Sequence, residues 1–359
     1  MSKEKEIAEL VEKVELARSA EDSDWLLQLA DKLMELSDKT ADAYAEYARG
    51  AADYNAKGYG LARTHFNCAL EMFTELDNKV GIARQFNHIG LIHMETSNPS
   101  SAIENFRIAQ DIYQTIGDLY GQAGALNNIG LVSLNTGDYD VAYESLQQAL
   151  QLFSTLDVAR GVAAATMNIG LTLLNMCDYT SALAKFSKAA ELHGALGNTN
   201  VVAGAWMNSG TVHRKLGDLD AALEFFNRAR DVFYEGQHEP FIAMIEGNIG
   251  VVHKEMGNLD IALELISKSR EFWDRVGHTI PASGCACEEV EILVKKGNLE
   301  EAKQRQIVAE AYNIEEPVTQ IWIALNKALI LASEGDNEGA KICLVGANYV
   351  HSLTPRLGW

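Results

Sequence analysis

Apolar and polar positions follow helical spacing along almost the whole chain, and the pattern returns every 40 residues. From Ala123 to Leu156 two amphipathic helical segments are separated by Thr136-Gly137-Asp138-Tyr139. Asn128-Ile129-Gly130 comes back as Asn168-Ile169-Gly170, Asn208-Ser209-Gly210 and Asn248-Ile249-Gly250, and one period earlier it reads His88-Ile89-Gly90. The second segment of each period opens on an alanine, at Ala62, Ala102, Ala142, Ala182, Ala222, Ala262 and Ala302. A bulky apolar residue follows at Phe66, Phe106, Leu146, Phe186, Phe226 and Ile266. Small residues at fixed points let two helices approach, and the bulky one fills the space beside them. One hairpin cannot bury its apolar face alone, whereas stacked hairpins bury it against their neighbours.

The pattern predicts helices over residues 4–18 and 25–36, a pair without the repeat's glycine and alanine positions. Hairpins then start near residues 43, 83, 123, 163, 203 and 243. Glycine at Gly137, Gly217 and Gly257 predicts left-handed helix ends, with the following Asp or Asn capping the next helix. Cys177 takes the glycine's place in one turn, which predicts slight strain there. After residue 280 the pattern decays: Val290 stands where glycine is expected, and a shortened last hairpin follows. The division expected is residues 1–40 as a capping pair, 41–317 as the array, and 318–359 as the shortened repeat and tail. The ending Leu357-Gly358-Trp359 leaves two readings open, a tail that folds back or a chain that continues.

At Ile129, Gly130, Ala142, Leu146 and Ala149, and again at Ile169, Gly170, Ala182, Phe186 and Ala189, the chain resembles the tetratricopeptide repeat family. The family's usual period is about 34 residues; here it is 40, which resembles the long-repeat subclass of spindle-orientation adaptors, kinesin light chains and Rap-type bacterial peptide receptors. The resemblance implies an all-α, right-handed superhelical solenoid of about eight helical hairpins. It also implies a concave face lined by the first helix of each hairpin, and non-catalytic binding of a protein or peptide in that groove. Repeat scaffolds host many partners, so fold alone does not name one.

Net charge of −20 describes an acidic surface. It argues against nucleic acid and anionic membranes as partners, since the basic stripe such binding needs is missing. No run of about 18 apolar residues or apolar leader appears. Cys68, Cys177, Cys285, Cys287 and Cys343 are odd in number and scattered, so neither a disulfide framework nor a zinc site is expected. Reduced thiols suit a cytoplasmic protein.

No catalytic signature, metal set or cofactor motif emerges. Gly58-x-Gly60 falls at an ordinary turn. His93, His213 and His253 share one repeat position, but first helices about 10 Å apart are too distant for one ion. The groove is the candidate site. By the family resemblance, helical spacing puts the position two before the glycine on its lining, where Asn128, Asn168, Asn208 and Asn248 form a ladder and His88 precedes them. An asparagine amide donates and accepts, so it can pair with a peptide bond of any sequence. The alternative is that these amides bind a neighbouring helix or turn. Asn87, Asn127, Met167, Met207, Leu131 and Leu171 flank the ladder. Arg84 lies towards one end and Arg214, Lys215 and Lys254 towards the other, which predicts a ligand with an apolar middle and an acidic portion. A second reading is a regulatory module of a larger signalling protein, a cyclase, kinase, transcription factor or protease. Oligomeric state is not legible here.

Overall fold

The computed structural model describes residues 2–314 and 317–353, and among these every regular element is a helix. The tail with Pro355 and Leu357-Gly358-Trp359 lies outside the described residues. The chain divides into two compact units, residues 1–172 and 173–359.

The first unit holds α1 (Lys3–Ser19), α2 (Ser23–Glu35), α3 (Lys39–Asn55), α4 (Tyr59–Glu75), α5 (Lys79–Glu95), α6 (Pro99–Ile116), α7 (Leu119–Asn135) and α8 (Tyr139–Thr155). The helix α9 (Ala159–Asn175) carries the division. The second unit continues with α10 (Tyr179–Ala195), α11 (Thr199–Lys215), α12 (Leu219–Glu235), α13 (Glu239–Glu255) and α14 (Leu259–Val276). It closes with α15 (Thr279–Lys295), α16 (Leu299–Ala311), α17 (Pro317–Ser333) and α18 (Asn337–Leu353). Among the described residues eighteen helices in chain order make nine pairs, one more than the pattern suggests, because the capping pair α1–α2 adds to eight repeats. Pro317 opens α17 at its first position, where a missing N–H costs nothing.

The period is written in the backbone. Ser37, Lys57, Asp77, Ser97, Asp157, Cys177 and Gln237 all have positive φ, as do Gly117, Gly137, Gly197, Gly217, Gly257, Gly277 and Gly297. These residues sit twenty apart, at every helix end from Ser37 to Gly297. At Gly137 the amide of Asp138 reaches back to Ser133 O at 2.9 Å, closing the helix end. The joint at Gly236-Gln237 places the left-handed residue on Gln237, while Gly236 keeps φ −80. Asp178 and Asp218 cap the following helix through their carboxylates, whereas Asn258 and Asn298 do not.

Inside a hairpin the glycine meets the bulky residue. A Cβ added at Gly50, Gly90 or Gly130 would fall 2.7, 2.6 or 2.5 Å from Phe66, Phe106 or Leu146. At Gly210 and Gly250 it would fall 2.8 and 2.7 Å from Phe226 and Ile266. Phe66, Phe106 and Phe226 are fully buried, each such ring stabilising by about 2–3 kcal/mol. A second glycine series escaped the sequence reading: Gly81, Gly121 and Gly161 seat the rings of Phe73, Tyr113 and Phe153 between hairpins, each 2.4 Å from a would-be Cβ. Direct contacts between alternate helices run through the first helices, α1 with α3 and α5 with α7 in one unit, α11 with α13, α13 with α15 and α15 with α17 in the other.

Candidate functional site

The first helices carry the ladder, and its four asparagines are all half-buried. In the first unit the rungs bind one another. Asn128 Nδ2 donates to Asn87 Oδ1 at 3.1 Å, and Asn168 Nδ2 donates to Asn127 Oδ1 at 3.4 Å. Each rung thus reaches the residue three before the glycine in the preceding repeat. That residue is Met167 ahead of Asn208 and Met207 ahead of Asn248. A thioether supplies no amide oxygen, and among the described residues the amides of Asn208 and Asn248 make no hydrogen bond.

His88 is not a ladder rung. It is buried, stacked on Phe66 with centroids 4.9 Å apart, and its Nε2 lies 3.4 Å from Tyr47 Oη. Burial, helped by Arg18 and Arg84, pulls its pKa down to about 3. The ring is part of the core because Phe66 and Tyr47 leave an aromatic slot there.

Three of the four expected basic residues are held in ion pairs, and Arg214 and Lys254 lie in the wall of the pocket beside Asn248. Arg84 pairs with Glu15 at 2.7 Å and lies over the Tyr47 ring. Arg214 pairs with Glu255 at 2.5 Å. Lys254, only 8% exposed in its side chain, bridges Glu288 and Glu291 at 2.6 Å each. Burial disfavours that ammonium, but the two carboxylates outweigh it and hold its pKa above the usual value. Lys215 is exposed and makes no ion pair among the described residues. The partners of Arg214 and Lys254 are themselves in register: Glu255 is one period after Lys215, and Glu288 takes the ladder position one period after Asn248. Met167, Met207, Leu131 and Leu171 are half-buried.

In the second unit the ladder opens into a pocket of about 450 Å³. Asn248, Met244, Trp273, Trp322 and Glu288 are among its walls. Sequence reasoning missed the two tryptophans. The available signal was Gly247, where the earlier repeats carry Asn87, Asn127, Met167 and Met207: loss of a side chain there clears the space. A Cβ at Gly247 would sit 3.2 Å from Ser269 Oγ. Cys285 also lines the pocket, but burial pushes its thiol up to about 11, so it stays protonated at neutral pH. Among the described residues no group of three His, Cys, Asp or Glu could hold a metal, and no helix is long and apolar enough to cross a membrane.

Two tetratricopeptide repeat models match the sequence, over residues 123–155 and 161–235. No curated protein matches it. Solved structures do, at low identity. The apo form of the quorum sensor NprR from B. thuringiensis is 13% identical, with 97% of this chain and 99% of that one covered and a TM-score of 0.71. A Rap protein complexed with Competence and Sporulation Factor is 14% identical over 98% of this chain and 99% of that one, with a TM-score of 0.68. The Rap conjugation gene regulator of plasmid pLS20, in complex with the Phr* peptide, is 18% identical over 98% of each chain, with a TM-score of 0.58. With its period carried by turns, glycines and buried rings alike, the chain has the all-α fold of tetratricopeptide repeat solenoids, and residues 123–155 and 161–235 match that family's models.

Proposed function

We propose that this protein is a receptor for an extended peptide, bound on the first-helix face of the second unit. Asn208 and Asn248 hold the peptide backbone, and the pocket beside Asn248 takes one apolar side chain. The carrying observation is the contrast along the ladder: the rungs with an asparagine three before the previous glycine are satisfied within the protein, and the rungs preceded by methionine are not. An amide with both donor and acceptor free is suited to a peptide bond. Trp273 and Trp322 give the neighbouring pocket large apolar walls. Two structural relatives support the reading, since they are described as complexes with Competence and Sporulation Factor and with the Phr* peptide. Because Arg214 and Lys254 already hold carboxylates, recognition rests on backbone and pocket rather than on an acidic portion of the ligand.

Selecting peptides from a random eight-residue library on the intact protein, then measuring their affinity by fluorescence anisotropy, tests this. Asn208→Ala with Asn248→Ala is expected to weaken the selected peptides roughly tenfold to a hundredfold, about one to two hydrogen-bonded rungs' worth. Equal affinity for the folded variant, or a selection that enriches nothing, would overturn it.

A further inference from the structure

The fifth hairpin departs from the others on the side of α11 turned away from the ladder. Trp206 precedes Asn208 by two residues, which at about 100° per residue places it on nearly the opposite side of the helix. A pocket of about 490 Å³ opens there among α10, α11 and α12. Leu183, Val202, Trp206, His213 and Phe225 form its walls, with Arg228 beside them. The Arg228 guanidinium lies 4.4 Å over the Trp206 ring and 5.6 Å from the Phe225 centroid. His213 stacks on Phe225 at 5.2 Å and 14°.

Three arginines lie over aromatic rings among the described residues. Arg84 also holds Glu15 and Arg275 also holds Glu239, but Arg228 has no carboxylate partner. The acid on the pocket wall, Glu191, is taken by Lys188 at 2.9 Å. One period on, the same positions read Glu246, Leu265 and Lys268. There Glu246 accepts from Tyr234 of the preceding helix α12 and Lys268 pairs with Glu264 at 2.6 Å, so both groups have a partner. In the fifth hairpin the charge is left open and the walls are aromatic.

A guanidinium stacked by its face keeps its in-plane N–H edge free, and that edge matches a carboxylate with two parallel hydrogen bonds. The volume falls within the usual range for small-molecule sites, about 300–1,000 Å³. We infer that this pocket binds a free aromatic carboxylate, its ring against the apolar walls and its carboxylate on Arg228. The site is independent of the peptide reading.

Calorimetric titration of the intact protein with indole-3-acetate and indole-3-acetamide tests the inference. The acid is expected to bind at least tenfold tighter than the amide. Arg228→Gln is expected to reduce the acid to the amide's affinity and to leave the amide within twofold. Arg228 is exposed, so the variant should fold, and circular dichroism checks that. Equal binding of acid and amide, no binding of either, or an unchanged acid affinity in Arg228→Gln would each overturn it. N-acetyl-Ala-Ala-Trp presents the same ring and carboxylate at a chain end. Tighter binding of that tripeptide than of indole-3-acetate assigns the pocket to a polypeptide terminus and overturns the free-acid source.

Discussion

At the scale of single residues, the strongest statements concern side chains placed against their ordinary preference. His88 titrates near 6.5 when unfolded, but burial holds its folded pKa at about 3. The stability it contributes as a neutral ring is complete above 6.5 and is lost as pH falls from there towards 3. Going from pH 7.5 to 5.5, the protein should lose about 1 kcal/mol that His88→Asn does not lose. Urea midpoints at the two pH values check this, and parallel slopes for both proteins would count against the burial of that ring. Cys177 holds φ +61 at a helix end where four other repeats have glycine, at Gly137, Gly217, Gly257 and Gly297. The left-handed conformation costs a side chain about 1–2 kcal/mol, and glycine's added chain entropy gives back about 0.5–1 kcal/mol. Cys177→Gly should therefore stabilise by about 0.5–1 kcal/mol, with Gly217→Ala moving the other way in the same urea experiment. The strain at Cys177 was readable from sequence, since the period marks its place. The burial of His88 was not, because it depends on Tyr47 and Phe66 meeting the ring from two earlier helices.

At the scale of the helix pair, contact distance decides. Gly210 and Phe226 sit so close that a Cβ at Gly210 would lie 2.8 Å from the ring. Gly210→Ala is expected to destabilise by about 1–3 kcal/mol through overpacking, and Phe226→Ala by about 3–5 kcal/mol through the cavity it leaves. The double variant should cost less than the sum, because the new methyl occupies part of the emptied space. Simple additivity in unfolding free energy would mean that the two do not touch. This pairing was legible in sequence, for both partners recur in register. The rung pairing was not: Asn128 meets Asn87 across 41 residues, and only placed side chains reveal that the donor belongs two before one glycine and the acceptor three before another. The second glycine series, Gly81, Gly121 and Gly161, also recurs every 40 residues, but it is shorter and gives way to Val201.

At the scale of the whole molecule, the sequence announced a repeat and left the chemistry of its face to be found. Composition set the net charge at −20, but composition cannot say where cations remain free. Three of the four cations expected along the ladder face, Arg84, Arg214 and Lys254, are already neutralised by carboxylates. The long-range field met by a peptide approaching the second unit should then be the acidic field of the protein as a whole, with Lys215 the one of these four that makes no ion pair among the described residues. Fields of this kind act on association rates and are screened over about 10 Å at 0.1 M salt. Library peptides of matched affinity but opposite charge separate the possibilities. A basic peptide should associate more slowly as salt rises from about 0.02 to 0.5 M, and an acidic one faster, with dissociation rates moving little. Stopped-flow fluorescence measures both. Acidic peptides that instead associate fastest at low salt would mean that the ion pairs of Arg214 and Lys254 open to the ligand, giving the groove the basic character its sequence suggests.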